Sequence, residues 1–162
     1  MVKFYLKVAA TLEGVTNFQP IDTPESPFEY TFTIQCTKCR TTHDKPITIN
    51  RFESHEISGS RGEASFVFRC KECKSEHSAS IIRTNRSLTV DDELKTVPIL
   101  EIDARGLDLV EFIPDGQFES VGAESGTKFT GFELDDGEWY DYDDKEGAEV
   151  SITEVKWDVA RS

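Results

Sequence analysis

The four cysteines of this 162-residue chain fall into two pairs, Cys36-Thr37-Lys38-Cys39 and Cys70-Lys71-Glu72-Cys73. A C-x2-C pair sets two sulfurs on one tight turn, where they can grip a single ion. Two such turns complete a tetrahedral sulfur shell with Zn–S distances of about 2.3 Å. Cys36, Cys39, Cys70 and Cys73 are therefore the candidate metal ligands, for one Zn2+ per chain. Iron accepts the same four sulfurs, so the ligand set leaves it open, while metal availability and tetrahedral sulfur favour zinc. Two disulfides would need an oxidising compartment, which the sequence does not suggest. A thioredoxin-type dithiol uses one C-x-x-C at a helix start within a βαβ unit, a context not found here. Four thiolates on one Zn2+ leave a formal double negative charge. Lys38, Arg40, Arg69, Lys71 and Lys74 flank the cysteines and can offset it, easing thiol deprotonation as well. A shell closed by four sulfurs has no open position for water or substrate, so a structural metal is expected.

Catalytic chemistry has little else to rest on. The three histidines, His43, His55 and His77, sit in no triad motif, and no G-x-G-x-x-G, phosphate loop or H-E-x-x-H occurs. His43 and His77 lie near the cysteine pairs, but with four sulfurs available they read as bystanders. No enzymatic activity is expected.

The elements that must position the sulfurs read as almost entirely β. Residues 28–35 alternate cleanly, with Phe28, Tyr30, Phe32 and Ile34 on one face. Similar short strands are predicted at 46–50, 64–69, 78–83, 97–103 and 149–159, and no ten-residue stretch carries a helical apolar stripe. Each cysteine pair thus follows a strand, one ending at Gln35 and one at Arg69. The 30 residues between the pairs exceed the ~15–20 of a simple zinc ribbon, so they must fold back as strands to bring two knuckles together. Breakers punctuate the chain at Pro20, Pro24 and Pro27, at Gly59-Ser60-Arg61-Gly62 and at Pro114-Asp115-Gly116. Residues 85–95 are polar and read as a connector, which divides the chain into 1–84 and 96–162, packed as one compact unit. The opening residues 1–8 alternate apolar and charged types, a strand rather than a signal-peptide core. Apolar runs are too short for a membrane helix.

Charge is distributed unevenly. Residues 1–83 hold 11 basic and 10 acidic side chains, whereas 84–162 hold 7 and 21, so nearly all of the net −13 lies in the second part. Asp135, Asp136, Glu138, Asp141, Asp143, Asp144 and Glu146 crowd together there. Such a surface repels phosphate backbones and attracts a basic protein patch. A protein partner is expected, and no nucleic acid or membrane. Trp139, Tyr140 and Tyr142 lie within the acidic segment, either as an interaction surface or, by alternation, partly in the core.

An internal echo reads either as a chance match or as two similar β units. Residues 6–20 align with 100–114, matching Leu6, Ala10, Phe18 and Pro20 to Leu100, Ala104, Phe112 and Pro114. Residues 66–73 align with 140–147, setting Cys70 over Asp144.

Taken together, the two C-x-x-C pairs and their surroundings resemble the eukaryotic CXXC-motif-containing zinc-binding protein family. Ser60-Arg61-Gly62 with Ala64 carries the likeness in the first half. Arg105-Gly106-Leu107, Glu124-Ser125-Gly126-Thr127 with Phe129, and Trp139 followed by Asp141-Tyr142-Asp143 carry it in the second. The resemblance implies a β-rich protein of two similar halves, with one zinc held by Cys36, Cys39, Cys70 and Cys73 in the first, and no established enzyme activity. One departure is Arg40, where such knuckles often carry a glycine to ease a positive-φ turn. The expected fold is therefore mainly β, two similar sandwich- or barrel-like halves related by an approximate repeat. The expected function is a non-enzymatic, zinc-stapled protein-interaction module with an acidic face. The alternative is a metal-handling protein that exchanges zinc or copper(I) with a metallochaperone. A monomer in the cytoplasm, with access to the nucleus, is the expected setting.

Overall fold

A computed structural model describes residues 2–57, 63–84, 86–92 and 96–161. The Gly59–Gly62 breaker, with Ser60-Arg61-Gly62, lies outside the described residues, as do positions 85 and 93–95 of the connector.

The chain is mainly β, as its alternating patterns predict. The long strand β1 (Val2–Glu13) turns at Gly14 into β2 (Val15–Pro20). Then come β3 (Tyr30–Cys36), β4 (Ile47–Ile49), β5 (His55–Glu56), β6 (Glu63–Ala64), β7 (Phe66–Arg69) and β8 (Glu76–Arg83). After the connector, β9 (Val97–Arg105) turns at Gly106 into β10 (Leu107–Ile113). The chain ends with β11 (Phe118–Gly122), β12 (Lys128–Phe132), β13 (Trp139–Asp143) and β14 (Ala148–Arg161).

A curled six-stranded sheet of order β13-β14-β1-β9-β8-β7 forms half a barrel, and two three-stranded sheets, β10-β3-β4 and β12-β11-β2, accompany it. All its named pairings are antiparallel. Register shifts on β1, at Leu6/Lys7 against β9 and at Ala9/Thr11 against β14, are the irregularities that let a long strand bend. Each of the three larger sheets takes strands from both 1–84 and 96–162. The first knuckle strand β3, for example, pairs with β10.

One face of most strands builds a single core. Leu6, Phe18, Tyr30, Phe32, Ile34, Leu100, Ile102 and Phe118 are all fully buried, each contributing about 1.5–3 kcal/mol of apolar transfer. Trp157 of β14 ties the layers together, its ring 4.9 Å from Phe112 and 5.7 Å from Phe118. The alternation expected over 28–35 appears in Tyr30, Phe32 and Ile34, but the strand itself begins at Tyr30. Phe28 is buried outside it, because its amide donates to Asp22 Oδ1 (3.2 Å) instead of joining the ladder. The connector is less open than its polarity suggests. Leu88 is fully buried and pairs with Phe18 through two backbone hydrogen bonds of 2.8 and 3.0 Å. A single 3-10 turn follows at Val90–Asp92.

Candidate metal centre

Both cysteine turns close with the same hydrogen bonds. The Cys36 amide donates to Thr41 O (2.9 Å) and the Arg40 amide to Cys36 O (2.9 Å). In the second turn the Cys70 amide donates to Ser75 O (2.8 Å) and the Lys74 amide to Cys70 O (2.9 Å). The fifth residue of each turn is left-handed, Arg40 at φ 64° and Lys74 at φ 63°. The residue ahead of each turn secures that conformation. Gln35 Nε2 donates to Arg40 O (3.0 Å), and Arg69 donates to Lys74 O (2.8 Å). A third element positions the first knuckle: Gly106, at the tip of the β9–β10 hairpin, accepts the Thr37 amide (3.0 Å).

The four sulfurs meet. Cys36 Sγ lies 3.6 Å from Cys73 Sγ, Cys39 Sγ lies 3.7 Å from Cys70 Sγ, and all four fall within 4.8 Å of one another. A tetrahedron with metal–sulfur bonds of about 2.3 Å has edges of about 3.8 Å, so the spacing suits zinc. Disulfides would need about 2.05 Å, and all four cysteines are free. Cys36 and Cys70 are buried, whereas Cys39 is exposed and Cys73 half-exposed, so the shell has a dry side and a wet side. Burial pushes the Cys36 thiol up to about 11. Hydrogen bonding to Thr41 lowers Cys39, and hydrogen bonding to Ser75 lowers Cys73 to about 6. Lys38, Arg40, Lys71 and Lys74 stand exposed around the turns, where their charge can offset that of the thiolates.

Histidines join the neighbourhood of this centre. His43, Cys70 and His77 each place a potential ligand atom within 4.8 Å of the others. The sequence reads His43 and His77 as bystanders, and the structure brings both beside Cys70. A signal was available, since each histidine lies seven residues after the first cysteine of its own pair. His55 is exposed and lies beside Glu53 (3.3 Å), in neither of these two groups.

Two further turns share the knuckle pattern without cysteine. The Gly122 amide donates to Thr127 O (2.7 Å), the Gly126 amide to Gly122 O (2.9 Å), and Gly126 has φ 72°. The Gly147 amide donates to Asp143 O (2.8 Å), with Gly147 at φ 65°. Gly14 O accepts the Ala123 amide (3.0 Å), much as Gly106 O accepts that of Thr37. Asp143 O accepts the Gly147 amide as Cys70 O accepts that of Lys74, a likeness of turns that does not by itself show a repeated architecture. Asp143 itself is no surface charge. It is fully buried, and Ser125 and Thr127 hydroxyls and the Lys145 amide donate to its carboxylate. Trp139 is buried as well, while Tyr140 and Tyr142 are 65% and 49% exposed.

The family described as "CXXC motif containing zinc binding protein, eukaryotic" matches residues 5–160. A Schizosaccharomyces pombe protein named UPF0587 is 41% identical over the full length of both chains. The human CXXC motif containing zinc binding protein is 36% identical, covering 96% of each chain. The crystal structure of C1orf123 superposes with a TM-score of 0.90 at 34% identity, covering 99% of both chains. A hypothetical protein of Plasmodium falciparum shares the fold alone, with a TM-score of 0.85 at 22% identity over 98% of this chain and 99% of that one.

Proposed function

This chain belongs to the family of eukaryotic CXXC motif containing zinc binding proteins, and from that premise we propose a non-enzymatic, zinc-stapled module that docks a basic protein segment. Cys36, Cys39, Cys70 and Cys73 hold the zinc, which ties the ends of β3 and β7 to each other. The acidic face of the second half does the docking.

The observation that carries the docking role is the exposure of Tyr140 and Tyr142 among carboxylates. With Glu13, Asp141 and Glu149 they line a groove of about 500 Å³. Tyrosine offers a large, stiff apolar surface with a polar tip, and such residues dominate binding energy where they are exposed for it. Surrounding carboxylates would steer a cationic partner and repel nucleic acid.

A lysine-rich peptide, followed by fluorescence anisotropy at rising salt, tests this reading. Changing Tyr140 and Tyr142 to Ala leaves the net charge intact and should weaken binding roughly tenfold. Equal binding by the variant would reduce the face to unspecific charge attraction and sink the proposal. Asp141 and Asp144 are exposed and suit a companion Asn substitution, while the buried Asp143 does not.

One observation favours the metal-handling alternative. Cys39 and Cys73 reach solvent, which gives an incoming thiol two sulfurs to exchange with. Zinc lost to a mild chelator while the β fold persists would favour exchange. Zinc retained until the fold itself melts would favour the staple.

A further inference from the structure

Among the described residues, three buried imidazole nitrogens beside the sulfur centre make no well-formed hydrogen bond, although the Glu76 backbone lies against His77. They are both ring nitrogens of His77, which is 1% exposed, and Nε2 of His43. A ring nitrogen of each histidine lies within 4.8 Å of Cys70 Sγ. Phe68 shelters them, its ring 5.0 Å from that of His43 and 6.5 Å from that of His77. Buried polar atoms are nearly always satisfied, and exceptions call for an explanation such as a bound ion.

The cysteine-free turns supply an internal comparison. Seven residues after Cys36 and Cys70 stand His43 and His77; seven after Gly122 and Asp143 stand Phe129 and Val150. The packing is also alike. A Cβ on Gly106 would meet His77 Nδ1 at 2.5 Å, and one on Gly14 would meet Val150 Cγ1 at 2.8 Å. Phe129 and Val150 are both buried and carry no polar side-chain atom. Packing at these two places therefore does not require imidazole, yet the cysteine-bearing turns have it at both.

We propose that His43, His77 and Cys70 form a second cation site, sharing the Cys70 sulfur with the four-cysteine centre and taking a d10 ion, zinc(II) or copper(I). Imidazole and thiolate suit these ions, whereas magnesium and calcium demand oxygen. A thiolate has lone pairs enough to bridge two metals. The surplus negative charge of four thiolates on one zinc offsets the charge of a second ion. The proposal rests on the four-cysteine centre holding the first zinc, and the experiment reads that equivalent separately.

Zinc-saturated protein is titrated anaerobically with further zinc(II), and in parallel with copper(I), under native mass spectrometry. The expected product retains the first zinc and gains one ion. His43→Asn and His77→Val, the latter copying the valine found at position 150, should each keep the first zinc and lose at least about tenfold in affinity for the second ion. Nitrogen-15 NMR of the imidazoles gives a reading on the unaltered protein: ring resonances of both histidines should move with the second equivalent only. The proposal falls if neither ion yields a two-metal species, or if copper(I) enters only by expelling zinc. It falls equally if the variants take up the second ion as the parent does, or if the imidazole resonances stay still.

Discussion

Asp143 shows how one residue's meaning depends on its neighbours. It sits within an acidic run, yet it is fully buried under hydroxyl and amide donors. The Ser125 hydroxyl, with Thr127 and the Lys145 and Glu146 amides, holds its pKa below the usual carboxylate value despite the opposing effect of burial. A pKa depressed by folding adds stability that is fully present above the unfolded value of about 3.9 and fades as pH falls through the folded one. Metal-free protein, used so that thiolate protonation does not intervene, should therefore lose melting temperature as pH drops from about 5 toward 2. Asp143→Asn should begin from a lower melting temperature and show a flatter acid limb. An unchanged limb in that variant would assign the acid sensitivity to other carboxylates. Arg40 and Lys74 make a related point. Left-handed backbone costs an L-residue about 1–2 kcal/mol, and the side-chain bonds from Gln35 and Arg69 to their carbonyls help hold them there.

At the scale of elements, the first knuckle is a strand end plus a hairpin tip. β3 delivers Cys36, and the β9–β10 tip braces it through Gly106. Gly106 is doubly required, being left-handed at φ 79° and pressed against His77. Gly126 is left-handed too, but a Cβ there would meet nothing within 4 Å. Gly126→Ala should thus cost only the backbone penalty, about 1 kcal/mol. Gly106→Ala should cost that and the overpacking of His77, about 2–4 kcal/mol in all, and should weaken zinc retention by shifting Thr37. Denaturant melts of the two variants decide this, and equal losses would mean that His77 yields without strain.

At the scale of the molecule, the three larger sheets mix strands from both ends of the chain. β8 pairs with β9, β3 with β10, and β2 with β11. Cutting at the connector would expose the ladder edges of β3 and β8 and part a core that both stretches build. The isolated fragments 1–84 and 96–162 should therefore fail to fold even with zinc, and the intact protein should melt in one calorimetric transition. Two separable transitions, or a folded zinc-loaded 1–84, would show that the halves are independent after all.

Local chemistry was legible from the sequence because it is written in short spacings. The two C-x2-C pairs, the strands leading into them and the alternation at Tyr30, Phe32 and Ile34 each depend on residues a few positions apart. So does the left-handed position after the second cysteine, where Arg40 stands in for glycine. The seven-residue step to His43 and to His77 was equally visible, but nothing local says that an imidazole turns toward a sulfur. For His77 that depends on the register of β8 on β7 beyond the second knuckle, and on Gly106 leaving room for the ring. Which aromatic of Trp139, Tyr140 and Tyr142 is buried likewise awaited the register of β13 on β14, since a one-residue slip exchanges the faces of a strand. The exchange of strands between the two ends of the chain was out of reach for the same reason. Non-local pairing is decided by which arrangement buries all the apolar faces at once, and only the assembled tertiary structure makes that choice.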